Sequence, residues 1–162
     1  KETLYVRWFY FMKNRDIYFM NLALSEAKKA IKEDEVPVGA VLVLDDKVIA
    51  KAHNKTNANN NNFDHAEMLV IKKALKKLGV SRLDNAIIYV TLEPCLMCAG
   101  AIYLHKIKKV IFALRDDKFG ALVSTNNVYE SKQINFTPEI ELGPLGDEVK
   151  KLLNDFFATK RK

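Results

Sequence analysis

The chain has 162 residues, with 26 Lys plus Arg against 20 Asp plus Glu, and so carries a formal net charge of +6. At 49% apolar and 28% charged residues it has the makings of one domain that buries a core unaided, which excludes intrinsic disorder and a disulfide-stapled mini-protein. No apolar run approaches the roughly 18 to 20 residues of a membrane span, so a soluble, cytoplasmic protein without a membrane partner is expected.

Residues 1–11 are rich in aromatics (Tyr5, Trp8, Phe9, Tyr10, Phe11), but the segment is short, carries Arg7 and lacks a small-residue cleavage site. It is read as an extension rather than a secretory leader, and residues 12–162 as a single domain. From 16 to 34, Ile17, Met20, Leu24, Ala27 and Ile31 recur every three or four residues opposite Lys28, Lys29 and Lys32, the pattern of an amphipathic helix. After Pro37, apolar runs at 39–44 and 47–52, parted by Asp45 and Asp46, predict a β-hairpin. Six asparagines between 54 and 62, four of them consecutive, predict an irregular loop. A second helix is expected over 64–78, stopped by Gly79, then a buried strand over 86–92. Pro94 marks the start of an apolar helix over 95–105, followed by a strand at 110–114. Beyond Gly120 the pattern weakens to a short strand near Ile140 and a closing helix from about 147 to 160. Helices alternating with short apolar strands imply an α/β sandwich whose sheet is at least partly parallel.

The two cysteines, Cys95 and Cys98, are spaced too closely for a stabilising loop closure, which leaves a metal site or a redox pair. A lone CxxC does not choose between them, and a lone histidine near a helix start is most simply a satisfied core or cap residue. Together with His65 the two thiols form a ligand set. Cysteines at i and i+3 on a first helical turn share a face, where the positive helix end favours the thiolates that zinc requires. Structural zinc sites are closed by four protein groups, and there is no third cysteine, so three ligands leave a fourth position to water. Glu67 supplies a carboxylate to carry that water's proton. This requires His65 to lie on an irregular first turn, capped by Asn62 or Asp64, because residues i and i+2 of a regular helix point apart. An H-x-E and a P-C-x-x-C together are the signature of zinc nucleobase deaminases.

The chain resembles the bacterial tRNA-specific adenosine deaminases over about residues 16–162. The matching stretches are Glu35 to Val41, His65-Ala66-Glu67, Tyr89 to Ala101 (YVTLEPCLMCAGA), Arg115 to Lys118 before Gly120, and Leu153 to Phe157. The resemblance implies a cytidine-deaminase-like three-layer α/β/α sandwich around a five-stranded mixed sheet. It also implies one Zn²⁺ per subunit held by His65, Cys95 and Cys98, with Glu67 as the catalytic proton carrier. The implied reaction is adenosine to inosine at the first anticodon position of tRNA, by a homodimer whose active sites draw on both subunits. By position, Asn54 and the Ala66 amide are implied to contact the flipped base. Asp116 and Lys118 are implied to lie near the target nucleotide, and Phe156 and Phe157 to shape the pocket for flanking bases.

Physical chemistry permits these roles, since an anticodon-loop base is already partly unstacked and the Lys150, Lys151, Lys160, Arg161, Lys162 cluster favours phosphates. The Lys72 to Lys77 run is most simply a solvated helix face. The alternative is a free-base or nucleoside deaminase acting on guanine or cytosine. A third reading, a zinc-stabilised RNA-binding scaffold, is disfavoured by the retained Glu67. Asp64 and the loop over 57–62 depart from the family pattern, and His53 and His105 are given no role.

Overall fold

The computed structural model describes residues 3–161. Helix α1 (Leu4–Lys32) leads into the hairpin β1 (Gly39–Leu44) and β2 (Lys47–His53), then α2 (Ala66–Leu78), β3 (Ile87–Leu92), α3 (Leu96–Leu104), β4 (Lys109–Leu114), β5 (Glu139–Leu142) and α4 (Gly146–Lys160). The five strands form one mixed sheet in the order β2-β1-β3-β4-β5. The pairs β1/β2 and β1/β3 are antiparallel, while β3/β4 and β4/β5 are parallel. The expected sandwich and its five-stranded mixed sheet are both present.

Strand alternation divides the interior into two cores. Ala40, Leu42, Ile88, Val90, Val110 and Phe112 face α2 and α3 through Val70, Ile71, Ala74 and Ile102. Val41, Val43, Tyr89 and Ile111 face α1 and α4 through Phe19, Met20, Leu24, Val149 and Leu153. Gly39 is demanded by the approach of α1, because a Cβ there would lie 2.0 Å from the Ala23 carbonyl oxygen. The hairpin turns on Asp45 and Asp46, both at positive φ, as a two-residue turn matched to strand twist requires.

Three boundaries differ from the sequence expectation. Helix α1 begins at Leu4 rather than near residue 16, because no Gly or Pro interrupts residues 4–16 and the helix continues outward with its aromatic side chains exposed. The second helix starts at Ala66 rather than 64, with His65 in extended conformation (φ −68°, ψ 154°). The third starts at Leu96, with Cys95 as its N-cap and Pro94 one position earlier. A one-turn helix, Val128–Glu130, was not anticipated. Lys162 lies outside the described residues.

Candidate active site

The N-termini of α2 and α3 meet at the C-terminal end of β3, the end of a parallel strand at which α/β folds place their chemistry. Each helix begins on one of the residues expected to bind metal, His65 or Cys95, and neither carries a side-chain cap hydrogen bond. The extended backbone at His65 meets the geometric requirement set by the H-x-E spacing, since the imidazole and the Glu67 carboxyl are not fixed on opposite sides of one regular turn. Neither Asn62 nor Asp64 caps α2. Instead Asn54, at the end of β2, accepts from the Ala66 amide at 2.8 Å and donates to the Val36 carbonyl at 3.2 Å. Asp64 is engaged elsewhere, accepting from Asn59 at 2.7 Å and Asn61 at 3.4 Å, so its carboxylate braces the asparagine-rich loop.

His65 Nδ1 lies 3.6 Å from Cys95 Sγ and 3.5 Å from Cys98 Sγ, and the three ligand atoms all fall within 4.8 Å of one another. A tetrahedral ion with zinc–sulfur and zinc–nitrogen bonds of about 2.3 and 2.0 Å sets neighbouring ligand atoms about 3.6 Å apart, so this donor set fits zinc. The sulfurs are not joined to each other. The adjacent Cys98 thiol pulls Cys95 down to about 4, with His65 and the Cys98 amide acting in the same sense and burial opposing. Cys98 is pushed far up by that same thiolate and by burial. His65 is raised by its contact with Cys95. Glu67 is buried at 4% exposure, and burial lifts its carboxyl to about 7 against the opposing Cys98 and His65 contacts. His53 is bound between Glu26 and Glu33, and His105 donates through Nδ1 to the Ala101 carbonyl of its own helix at 2.7 Å, so neither reaches the cluster.

The remaining expected site residues divide. The Ala66 amide is already bonded to Asn54, so the two residues implied as separate base contacts are bonded to each other. Asp116 accepts from the Lys118 and Phe119 amides through one carboxylate oxygen, shaping the turn that leaves Lys118 and Phe119 exposed. Phe156 is buried and packs edge-to-face with the exposed Phe157, whose ring it supports. Lys160, close to Phe156, pairs with Asp34, whose carbonyl also accepts from Asn57, so the end of α4 is tied to the rim of the asparagine-rich loop.

Sequence reasoning passed over two buried carboxylates. Glu35 accepts from the Ala58 amide at 2.7 Å and the Thr56 hydroxyl at 3.2 Å. Glu93 accepts from the loop that follows β4. Each stands one or two residues before a proline, and Glu93 also closes the apolar run of β3; a fully buried acid there has to be satisfied by donors from elsewhere. That was the available signal.

Residues 13–114 match the model of the cytidine and deoxycytidylate deaminase zinc-binding region. The tRNA-specific adenosine deaminase of Bacillus subtilis (strain 168) is 44% identical over 148 residues, which cover 91% of this chain and 92% of that protein. The chain belongs to the tRNA-specific adenosine deaminase family. A solved structure from biochemical and structural studies of A-to-I editing by tRNA:A34 deaminases superposes with a TM-score of 0.82 at 42% identity, covering 85% of this chain and 99% of that one. The guanine deaminase from Nitrosomonas europaea shares the fold, with a TM-score of 0.74 at 22% identity over 86% of this chain and 83% of that one. The family and the donor geometry agree on one zinc ion per chain.

Proposed function

We propose that this protein is a zinc-dependent hydrolase that converts adenosine to inosine at the wobble position of tRNA. The observation that carries the reading is the His65, Cys95 and Cys98 cluster with a buried carboxyl two residues from the histidine, in a chain of this family. His65, Cys95 and Cys98 hold the zinc, which when bound supplies Lewis-acid activation of water. Glu67 carries protons. Its buried carboxyl takes one from the attacking water, passes it to the purine ring nitrogen, and returns a proton to the exocyclic amine, which leaves as ammonia. Adenosine and water are consumed; inosine and ammonia are formed.

Asn54 holds the Ala66 amide and the Val36 carbonyl in fixed relation, and so sets the first turn of α2 on which His65 and Glu67 sit. The exposed Lys118 and Phe119 offer a cation and a ring face to nucleotides flanking the target, and Phe157 offers another ring face. In the basic C-terminal cluster Lys151 and Lys160 are already paired with Asp155 and Asp34, so Lys150 and Arg161 are its freer phosphate partners. Phe63 ahead of α2 and Leu96 and Leu104 at the two ends of α3 are exposed apolar side chains, and they support a homodimer formed through the α2–α3 side. No helix among the described residues is long and apolar enough to cross a membrane, and a cytoplasmic location accords with a tRNA substrate.

Zinc-loaded protein incubated with an unmodified tRNA bearing a wobble adenosine yields inosine there, read as guanosine on reverse transcription. Absence of inosine from fully loaded protein refutes the assignment. Release of ammonia from guanine or cytosine with tRNA inert would establish the free-base alternative instead.

A further inference from the structure

We propose that Glu93 is a positioning residue that fixes the 115–124 loop to the metal edge of the site, and thereby sets where Asp116, Lys118 and Phe119 meet the RNA. The inference rests on the tRNA reading for the identity of the substrate, but its geometry is independent of it.

Glu93 is 2% exposed, and no Lys, Arg or His pairs with it among the described residues. Its charge is instead met by donors from one loop. Oε2 accepts from the amides of Leu122 at 3.1 Å, Val123 at 3.0 Å and Ser124 at 3.1 Å, three successive backbone N–H groups converging on one oxygen. Oε1 accepts from the Asp116 amide at 3.3 Å and from the Ser124 hydroxyl. A buried carboxylate with five donors and no counter-cation is far more than one buried turn requires, and it constrains both ends of the loop at once.

Two further contacts close the loop onto the same segment. The Ala121 amide donates to the Pro94 carbonyl at 3.0 Å. At Gly120 a Cβ would lie 2.4 Å from Glu93 Cδ and Oε2 and 2.6 Å from the Asp116 carbonyl oxygen, so only glycine permits the carboxylate this close. Outside the hub, the Asp116 carboxylate turns the chain so that Phe119 stands 60% exposed with the Lys118 ammonium over its ring. Glu93 lies two residues from Cys95. The metal ligand and the exposed turn therefore take their positions from one rigid dipeptide, Glu93-Pro94.

Glu93→Gln keeps the volume but turns an amide NH₂ toward converging N–H and O–H donors, which releases the loop without touching a metal ligand. The test compares wild type, Glu93→Gln, Gly120→Ala and the double variant, all zinc-loaded, on an anticodon stem-loop RNA. Deamination kinetics, fluorescence anisotropy of the labelled RNA and zinc content are read together. The expected result is a rise of at least about tenfold in both KM and Kd for each single variant, with a smaller change in kcat and one zinc per chain, the signature of lost substrate binding. The double variant is expected to be less than additive, because both substitutions release the same contact. Unchanged KM and Kd in a folded, zinc-loaded Glu93→Gln would overturn the proposal. Zinc loss, or a fall in kcat alone, would overturn it too by making Glu93 a support of the metal instead. Should Glu93→Gln not fold, Ser124→Ala and Gly120→Ala carry the same test, and unchanged RNA affinity in both overturns it. Failure of the tRNA reading is distinguishable: wild type would then turn over no RNA at all.

Discussion

Replacing Glu67 by Gln isolates a single physical consequence of burying an acid beside a metal site. In the metal-free protein burial lifts the Glu67 carboxyl to about 7, whereas the unfolded chain releases that proton near 4.5. The folded state thus holds a proton that the unfolded state has lost across that window, and stability falls as pH rises through it. At about 1.4 kcal/mol per pKa unit, the wild type forgoes about 3 kcal/mol by pH 8 that it keeps at pH 4. Gln has the same volume and no titration. Thermal melts of the chelated proteins are therefore expected to coincide near pH 4 and to diverge by about 6 to 12 °C in favour of Glu67→Gln at pH 8, given about 2 to 4 °C per kcal/mol at this chain length. The zinc-loaded variant is expected to retain one metal per chain while kcat falls by about 10²- to 10⁴-fold, the usual weight of a general acid–base group. A gap that does not vary with pH refutes the burial argument. Zinc lost together with activity refutes the assigned role and makes Glu67 a ligand.

Asn54→Ala leaves the Ala66 amide and the Val36 carbonyl without partners, and unfolding in urea is expected to show a loss of about 1 to 2 kcal/mol, with Asn54→Asp recovering part of it by keeping the acceptor. Gly39→Ala drives a methyl into the Ala23 carbonyl on α1, and calorimetry is expected to show destabilisation of about 3 kcal/mol or more, or failure to fold. Removal of residues 1–11 deletes side chains that over 3–11 are almost all exposed, so the melting temperature and zinc content of the shortened chain are expected to match the full chain's.

The parts legible in the sequence were those governed by local periodicity and by chemistry with a fixed ligand set. In α2 the periodicity reads through Met68, Ile71, Leu75 and Leu78, but the buried line runs through Val70, Ile71 and Ala74, with Met68 and Leu75 half-buried and Leu78 exposed; the Gly79 stop at φ 64° follows from the residue type, and His65, Cys95 and Cys98 converge as their types demanded. Helix α1 was underestimated because bulky aromatics outside the buried face leave no amphipathic period to detect, although nothing in them breaks a helix. The cap of α2 was misplaced for a different reason: the acceptor for the Ala66 amide comes from Asn54, twelve residues upstream across a loop, and no local rule reaches that far. Glu35 and Glu93 were overlooked because an acid reads as surface until the donors are located, and those donors lie 21 to 31 residues away.

Both helices that carry the cluster begin on a metal ligand, and this couples metal binding to helix integrity. A helix start ordinarily takes Ser, Thr, Asp or Asn to satisfy its free amides, which stabilises by about 1 kcal/mol. Here His65 and Cys95 occupy those positions without a cap bond from their own side chains; Asn54 meets the Ala66 amide of α2, but the leading residues themselves are left for the ion to hold. The first protected amides make that dependence measurable. Leu69 donates to the His65 carbonyl at 3.0 Å and Ala99 to the Cys95 carbonyl at 2.8 Å, so each bond hangs from the backbone of a ligand. When chelation frees the ligands, those two carbonyls gain mobility that the middle of α2, packed through Val70 and Ala74 into the core, does not share. Amide exchange is accordingly expected to accelerate by about tenfold or more at Leu69 and Ala99 on zinc removal, with much smaller change at Ala74. Uniform acceleration along both helices would mean that the ion stabilises the fold as a whole, and that the helix starts hold their geometry without it.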